Sequence, residues 1–232
     1  MHLIGKVTFC LAVVGVLGVL GLRPAEAQKQ DAKKKSAVAR PSPTPPKCPA
    51  SFQVQFTTTC GDFVVEVNRS WAPIGADRFH EAVTGRFYDG CGFFRVVPNF
   101  VVQFGINGDP EVQKRWRRAY VKDDKSTGKS NLKGYVTFAT SGPNTRTAQL
   151  FVNLKDNAFL DQMGFTPFGR VVKGMETVAK INGEYKGEPD QGRIQSEGNA
   201  YLKRNFAKLD FIKTARVVVP KKKADKKKAT KK

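Results

Sequence analysis

The chain has 232 residues and a formal net charge of +20, a length that suits one domain or two. The charge is concentrated at the ends: residues 28–47 hold six basic and one acidic side chain, and 220–232 hold eight and one. The stretch 48–219 holds 24 basic and 17 acidic, only +7, so specific nucleic-acid binding is not expected of it. Beyond residues 1–27 there is a single histidine, His80, which argues against a histidine-based triad or a multi-histidine metal site. No cofactor or metal is expected.

Residues 1–27 carry Lys6, then an apolar run over 7–22, then Ala25-Glu26-Ala27. That order describes a secretory signal cleaved after Ala27, and hence an exported, periplasmic or secreted protein. The run is short of the ~20 residues a membrane span needs. Residues 28–47, rich in Lys and Pro, are expected to be a disordered, semi-extended linker. Residues 220–232 are expected to be a disordered lysine tail with nonspecific attraction to anionic surfaces.

Between these flanks, 48–219 reads as one domain. Alternating apolar and polar residues over 52–56 and 62–67, with a turn at 57–61, predict a hairpin. Pro73 opens a helix that Gly85 stops, with Phe79, Ala82 and Val83 on one face. Two apolar runs, 93–97 and 100–104, are joined by Pro98-Asn99 and read as buried strands. Residues 109–133 read as a long surface excursion anchored by Trp116. Further strands are expected over 134–140, 149–153, 165–172 and 209–219, and helices over 174–182 and 199–206. Residues 184–198 read as loop. Many short strands and few helices predict a closed or nearly closed β-barrel. The cysteines Cys48, Cys60 and Cys91 allow one disulfide and one free thiol, with the pair not chosen.

Arg95 is the conspicuous residue, a guanidinium inside an apolar run that is costly to bury unless it is paired or faces a cleft. Phe100, Val101, Phe151, Phe159 and Leu160, with Gln103 and Gln149, are the candidates to surround it.

Three segments carry a family resemblance. Residues 93–105, FFRVVPNFVVQFG, resemble the central signature of the cyclophilins, and 138–152, FATSGPNTRTAQLFV, resemble the second. Phe159-Leu160-Asp161 followed by Phe168-Gly169-Arg170-Val171 resembles the third, so the likeness runs in order from about Phe52 to Ile181. It implies a peptidyl-prolyl cis–trans isomerase on a closed eight-stranded antiparallel β-barrel capped by two helices, here with a long surface loop and a C-terminal extension. It implies that Arg95 is catalytic and that Gln103 and Gln149 line the cleft. Phe100, Val101, Phe151 and Leu160 fall on proline-pocket positions, and Ala139 and Thr140 where backbone pairs with the peptide. Proline-containing polypeptides are the implied partners of a monomeric enzyme that assists the folding of exported proteins. A proline-binding chaperone or scaffold with weak turnover is the alternative. Four departures stand out. Val101 replaces a more usual methionine, Thr140 replaces an asparagine, and Phe159 stands at the frequent tryptophan position. Phe165 is nearest the position of the family's pocket histidine.

Overall fold

A computed structural model describes residues 38–218. The expected signal segment 1–27 and lysine tail 220–232 lie outside the described residues. Eight strands are present: β1 (Ser51–Thr58), β2 (Asp62–Asn68), β3 (Arg95–Val97), β4 (Val101–Phe104), β5 (Tyr135–Phe138), β6 (Leu150–Asn153), β7 (Gly169–Lys173) and β8 (Ile212–Val218). All pair antiparallel in one curled sheet of order β3-β4-β6-β5-β7-β2-β1-β8. The sequence predicts a closed barrel, but no ladder joins β3 to β8 among the described residues. The two ends meet through the isolated bridge Gly92↔Phe211, with Phe93 N–H donating to the Asp210 carbonyl at 3.0 Å and Ile212 N–H to the Cys91 carbonyl at 2.9 Å. The architecture is a curled half-barrel with helices.

The alternation in β1 and β2 puts Phe52, Val54, Phe56, Phe63, Val65 and Val67 inside, as the period of two requires. Phe56 stacks on Phe63 with centroids 4.7 Å apart. Helix α1 (Pro73–Thr84) adds Ala76, Phe79, Ala82 and Val83 to this core. Pro73 suits its first turn, where a missing N–H costs nothing. Its N-cap, Ala72, has no side chain to offer. Asp124 in the distant loop substitutes, accepting from Ile74 N–H at 2.7 Å and Gly75 N–H at 2.8 Å, which satisfies two otherwise unpaired donors. At Gly105, φ +100°, a Cβ would lie 2.4 Å from the Ala148 carbonyl oxygen, so only glycine lets β4 run into its loop there.

The described part of the expected linker is tied at a few points to α1 and to Trp116, while most of its residues stay exposed. Ser42 N–H donates to Glu81 Oε1 at 2.6 Å, Arg78 Nη2 to the Ser42 carbonyl at 3.0 Å, and Trp116 Nε1 to the Ala39 carbonyl at 3.0 Å. Arg78 is fully buried and pairs with Glu81 at 2.7 Å.

The short helices α2 (Pro110–Trp116), α3 (Phe159–Gln162), α4 (Met175–Lys180), α5 (Gln191–Glu197) and α6 (Asn199–Asn205) complete the element list. The residues expected to be loop, 184–198, therefore contain α5, whose N-cap Asp190 accepts from Arg193 N–H. Ile194, Tyr201, Leu202, Phe206 and Leu209 form a second core with Phe94 and Ile106, seating this extension against the chain beside β3. Cys48, Cys60 and Cys91 are all free thiols. Burial, with Asp77 alongside, pushes the Cys48 thiol up to about 12, and burial also raises Cys60 and Cys91, so none is a ready thiolate.

Candidate active site

Strands β3, β4, β6 and β5 lie side by side, and register decides which side chains share a face. One row, Val96↔Val102↔Val152↔Val136, points into the core. The next, Arg95↔Gln103↔Phe151↔Thr137, points to the other face. Strand β4 is buried along its whole length because both its faces are covered: Val102 and Phe104 by the core, Val101 by a separate cluster with Phe151 and Leu160.

That second face carries a recess of about 160 Å³ lined by Arg95, Phe100, Val101, Gln103, Ala139, Thr140, Phe151, Leu160 and Phe165. Its wall is apolar except where Arg95, Gln103 and Thr140 enter. Arg95 Nη1 donates to Gln103 Oε1 at 3.1 Å, and Gln103 Nε2 donates to Gln149 Oε1 at 3.0 Å. The Arg95 guanidinium stands 5.8 Å from the Phe100 ring centroid and, among the described residues, joins no carboxylate. A neutral amide thus orients the cation without cancelling it.

Nine of the eleven residues picked from the sequence line this recess. Gln149 instead lines the adjoining cleft and reaches the recess through Gln103. Phe159 is 54% exposed and stacks on the outside of Phe100 at 6.1 Å, so it forms a rim rather than a wall. The cause is local: α3 begins at Phe159, and the helix turns Leu160 inward and Phe159 out. Phe165 reaches the recess from a segment with no ladder pairing, four residues before β7 begins; the expected strand 165–172 starts late because Pro167 has no N–H to pair.

The floor rests on a buried amide network that the sequence analysis missed. Asn131, Asn153 and Asn157 are all fully buried. Asn157 Nδ2 donates to the Phe100 carbonyl at 3.0 Å and to Asn153 Oδ1 at 2.8 Å. Asn131 Nδ2 donates to the Phe165 carbonyl at 2.8 Å and to Asp161 Oδ1 at 2.7 Å. Two walls of the recess are therefore fixed by one network, joined through Asn153 Nδ2 donating to Asn131 Oδ1 at 3.3 Å, in which the buried Asn157 Oδ1 is left without a partner. Burial alone would raise the Asp161 carboxyl, but hydrogen bonds from Ser130 and Asn131 outweigh it and hold the group below its usual value. In the sequence Asn157 stands between Asp156 and Ala158, where nothing marks it as buried.

The family model described as "Cyclophilin type peptidyl-prolyl cis-trans isomerase/CLD" matches residues 53–198. A "Peptidyl-prolyl cis-trans isomerase" of Acinetobacter baylyi is 36% identical over 137 residues, covering 57% of this chain and 72% of that protein. A "Peptidyl-prolyl cis-trans isomerase A" of Dickeya dadantii is similar to the same extent, 36% over 137 residues and the same shares of both chains. Among solved structures, a cyclophilin-type isomerase of Cryptosporidium parvum has a TM-score of 0.56 at 19% identity, covering 74% of this chain and 99% of its own, a likeness of fold. The chain belongs to the cyclophilin-type peptidyl-prolyl cis–trans isomerase family, and its domain is an isomerase domain.

Proposed function

We propose that the recess seats a proline ring and that Arg95 stabilises the twisted X-Pro bond. The barrier to rotation is amide resonance, ~18–20 kcal/mol, and no bond need break. As the bond twists, the imide nitrogen becomes pyramidal and its lone pair can accept a hydrogen bond. Arg95 supplies a donor that favours this state over either planar one, and each ~1.4 kcal/mol of that preference is worth about tenfold in rate. The observation that carries the reading is the guanidinium held at the mouth of an apolar recess by Gln103 and not by a carboxylate. Ala139 and Thr140 line the recess just past the end of β5, where the flanking peptide can be held while the other side rotates. A related Cryptosporidium parvum structure was obtained in the presence of the dipeptide Ala-Pro, which supports proline-containing peptides as substrates here.

The substrates we infer are exported polypeptides, on the strength of the leader-like segment ending at Ala27. Catalytic amounts of the chain should accelerate the slow, proline-limited refolding phase of a periplasmic or secreted protein. If that phase is unchanged while a short X-Pro peptide is turned over, the folding role is lost and the isomerase remains. A second reading, a proline-peptide chaperone with weak turnover, is favoured by the exposed rim of Phe159 and Met163, 54% and 62% accessible. It predicts tight peptide binding with little acceleration of exchange.

A further inference from the structure

Beside the proline recess lies a larger cleft of about 500 Å³ that shares Gln103, Ala139 and Thr140 with it and adds Gln149. Its far wall comes from the C-terminal end of α2 and from α5, which bring in Gln113, Arg117, Arg118, Gln191 and Gln195. No Asp or Glu is among its lining residues. Arg117 and Arg118 are exposed and join no ion pair among the described residues. Glu111 and Glu188 are exposed and do not line the cleft, and three other carboxylates near it in sequence are committed elsewhere. Asp123 pairs with Arg146, Asp190 caps α5, and Glu197 pairs with Arg193 and Arg204.

The amides in the cleft are set as donors too. Gln113 is 4% exposed and uses its Oε1 to accept from Asn107 N–H at 2.9 Å, leaving its NH2 as the free end. Gln149 uses its Oε1 on Gln103, which likewise leaves its NH2. Two guanidiniums and two amide donors with no opposing carboxylate make a wall that complements an anion. Because the cleft adjoins the recess, a peptide whose proline is seated would lay a residue one or two steps along the chain into it, at ~3.3–3.6 Å per residue.

Resting on the proposed isomerase reading, we infer that Arg117 and Arg118 make this cleft select substrates with a carboxylate side chain close to the isomerised proline. Arg117 and Arg118 are the specificity-determining residues. Glu should be preferred over Gln, and Gln over Lys, at one flanking position.

Exchange spectroscopy on proline peptides with Glu, Gln or Lys at each of the two positions before and after proline, using the full chain, tests this. At low salt the Glu-to-Lys ratio of catalysed rates should be roughly threefold to tenfold at one position, as expected for one or two partly exposed charge contacts. The ratio should shrink toward one at high salt. It should also collapse in Arg117→Gln/Arg118→Gln but persist in Lys133→Gln/Lys213→Gln, which removes the same charge away from the cleft. A wild-type ratio near one at all four positions overturns the inference, as does a ratio that survives the arginine replacements. If no peptide is isomerised at any position, it is the underlying isomerase reading that fails.

Discussion

Arg95 and Gln103 are directly opposed in the β3–β4 ladder, and their side chains repeat the pairing with a 3.1 Å hydrogen bond. The consequence is a guanidinium aimed by a neutral partner. Gln103→Ala removes that aim, and with one hydrogen bond worth about 0.5–1.5 kcal/mol the expected loss in kcat/KM is up to roughly tenfold. Gln103→Glu should be worse than Ala, because a charged acceptor binds the cation about twice as strongly and competes with the twisted imide. Steady-state kinetics on both variants decides this; a fully active Gln103→Glu would contradict it.

The recess floor gives a stability prediction. Asp161 accepts hydrogen bonds from Ser130 Oγ and from both nitrogens of Asn131. In Asp161→Asn an amide NH2 faces these donors, and an unsatisfied polar group costs about 1–3 kcal/mol. Urea denaturation should show that loss. Because Asn131 also holds the Phe165 carbonyl, KM should rise more than kcat falls.

His80 sets the mild-acid behaviour. Burial favours its neutral form and lowers its pKa, with Asp77 opposing more weakly. The unfolded chain therefore binds the proton more readily, and stability rises with pH in this range. The contribution is complete above the ordinary value of 6.5 and is lost as pH falls from there toward the lowered value. Asp77 and Asp161, both held below 3.8, act only in stronger acid. Thermal melts between pH 7 and 5 should show a declining Tm in the wild type and a flatter profile in His80→Gln.

The segment 38–47 can be tested by removal. Without it the Ser42 groups that meet Arg78 and Glu81 are gone, as is the Ala39 carbonyl that receives the Trp116 indole. Leaving buried polar and charged groups short of partners should cost about 2–5 kcal/mol in chemical denaturation. The kinetic constants of the folded protein should not change, because none of these residues lines the recess.

Most of the site could be read from the chain because it sits on two short strands close in sequence, but their register could not. A two-residue turn at Pro98-Asn99 would set Arg95 opposite Val102, whereas the three-residue turn 98–100 sets it opposite Gln103. Phe159 could not be placed either, since its outward direction depends on where α3 starts. Helix α5 was missed because Ile194 is the one apolar residue in Gln191–Glu197, too few to show a period, although Asp190 and Gly198 marked its ends. The docking of 38–47 leaves little trace in sequence, because Ala39 and Ser42 bind through backbone groups that every residue has. Asp124 capping α1 from fifty residues away is invisible for the same reason that any long-range partner is.

The account depends most on Arg95, and the direct measurement is kcat/KM of Arg95→Ala and Arg95→Lys on one X-Pro peptide, with peptide affinity measured alongside. Removing an oriented donor to the transition state should lower kcat/KM about 10²–10³-fold in Arg95→Ala, with peptide affinity changed by less than about tenfold. Lys should restore little, because a point charge on a flexible stem does not keep the aim that Gln103 gives the guanidinium. An Arg95→Ala enzyme within about threefold of wild type would contradict the assignment.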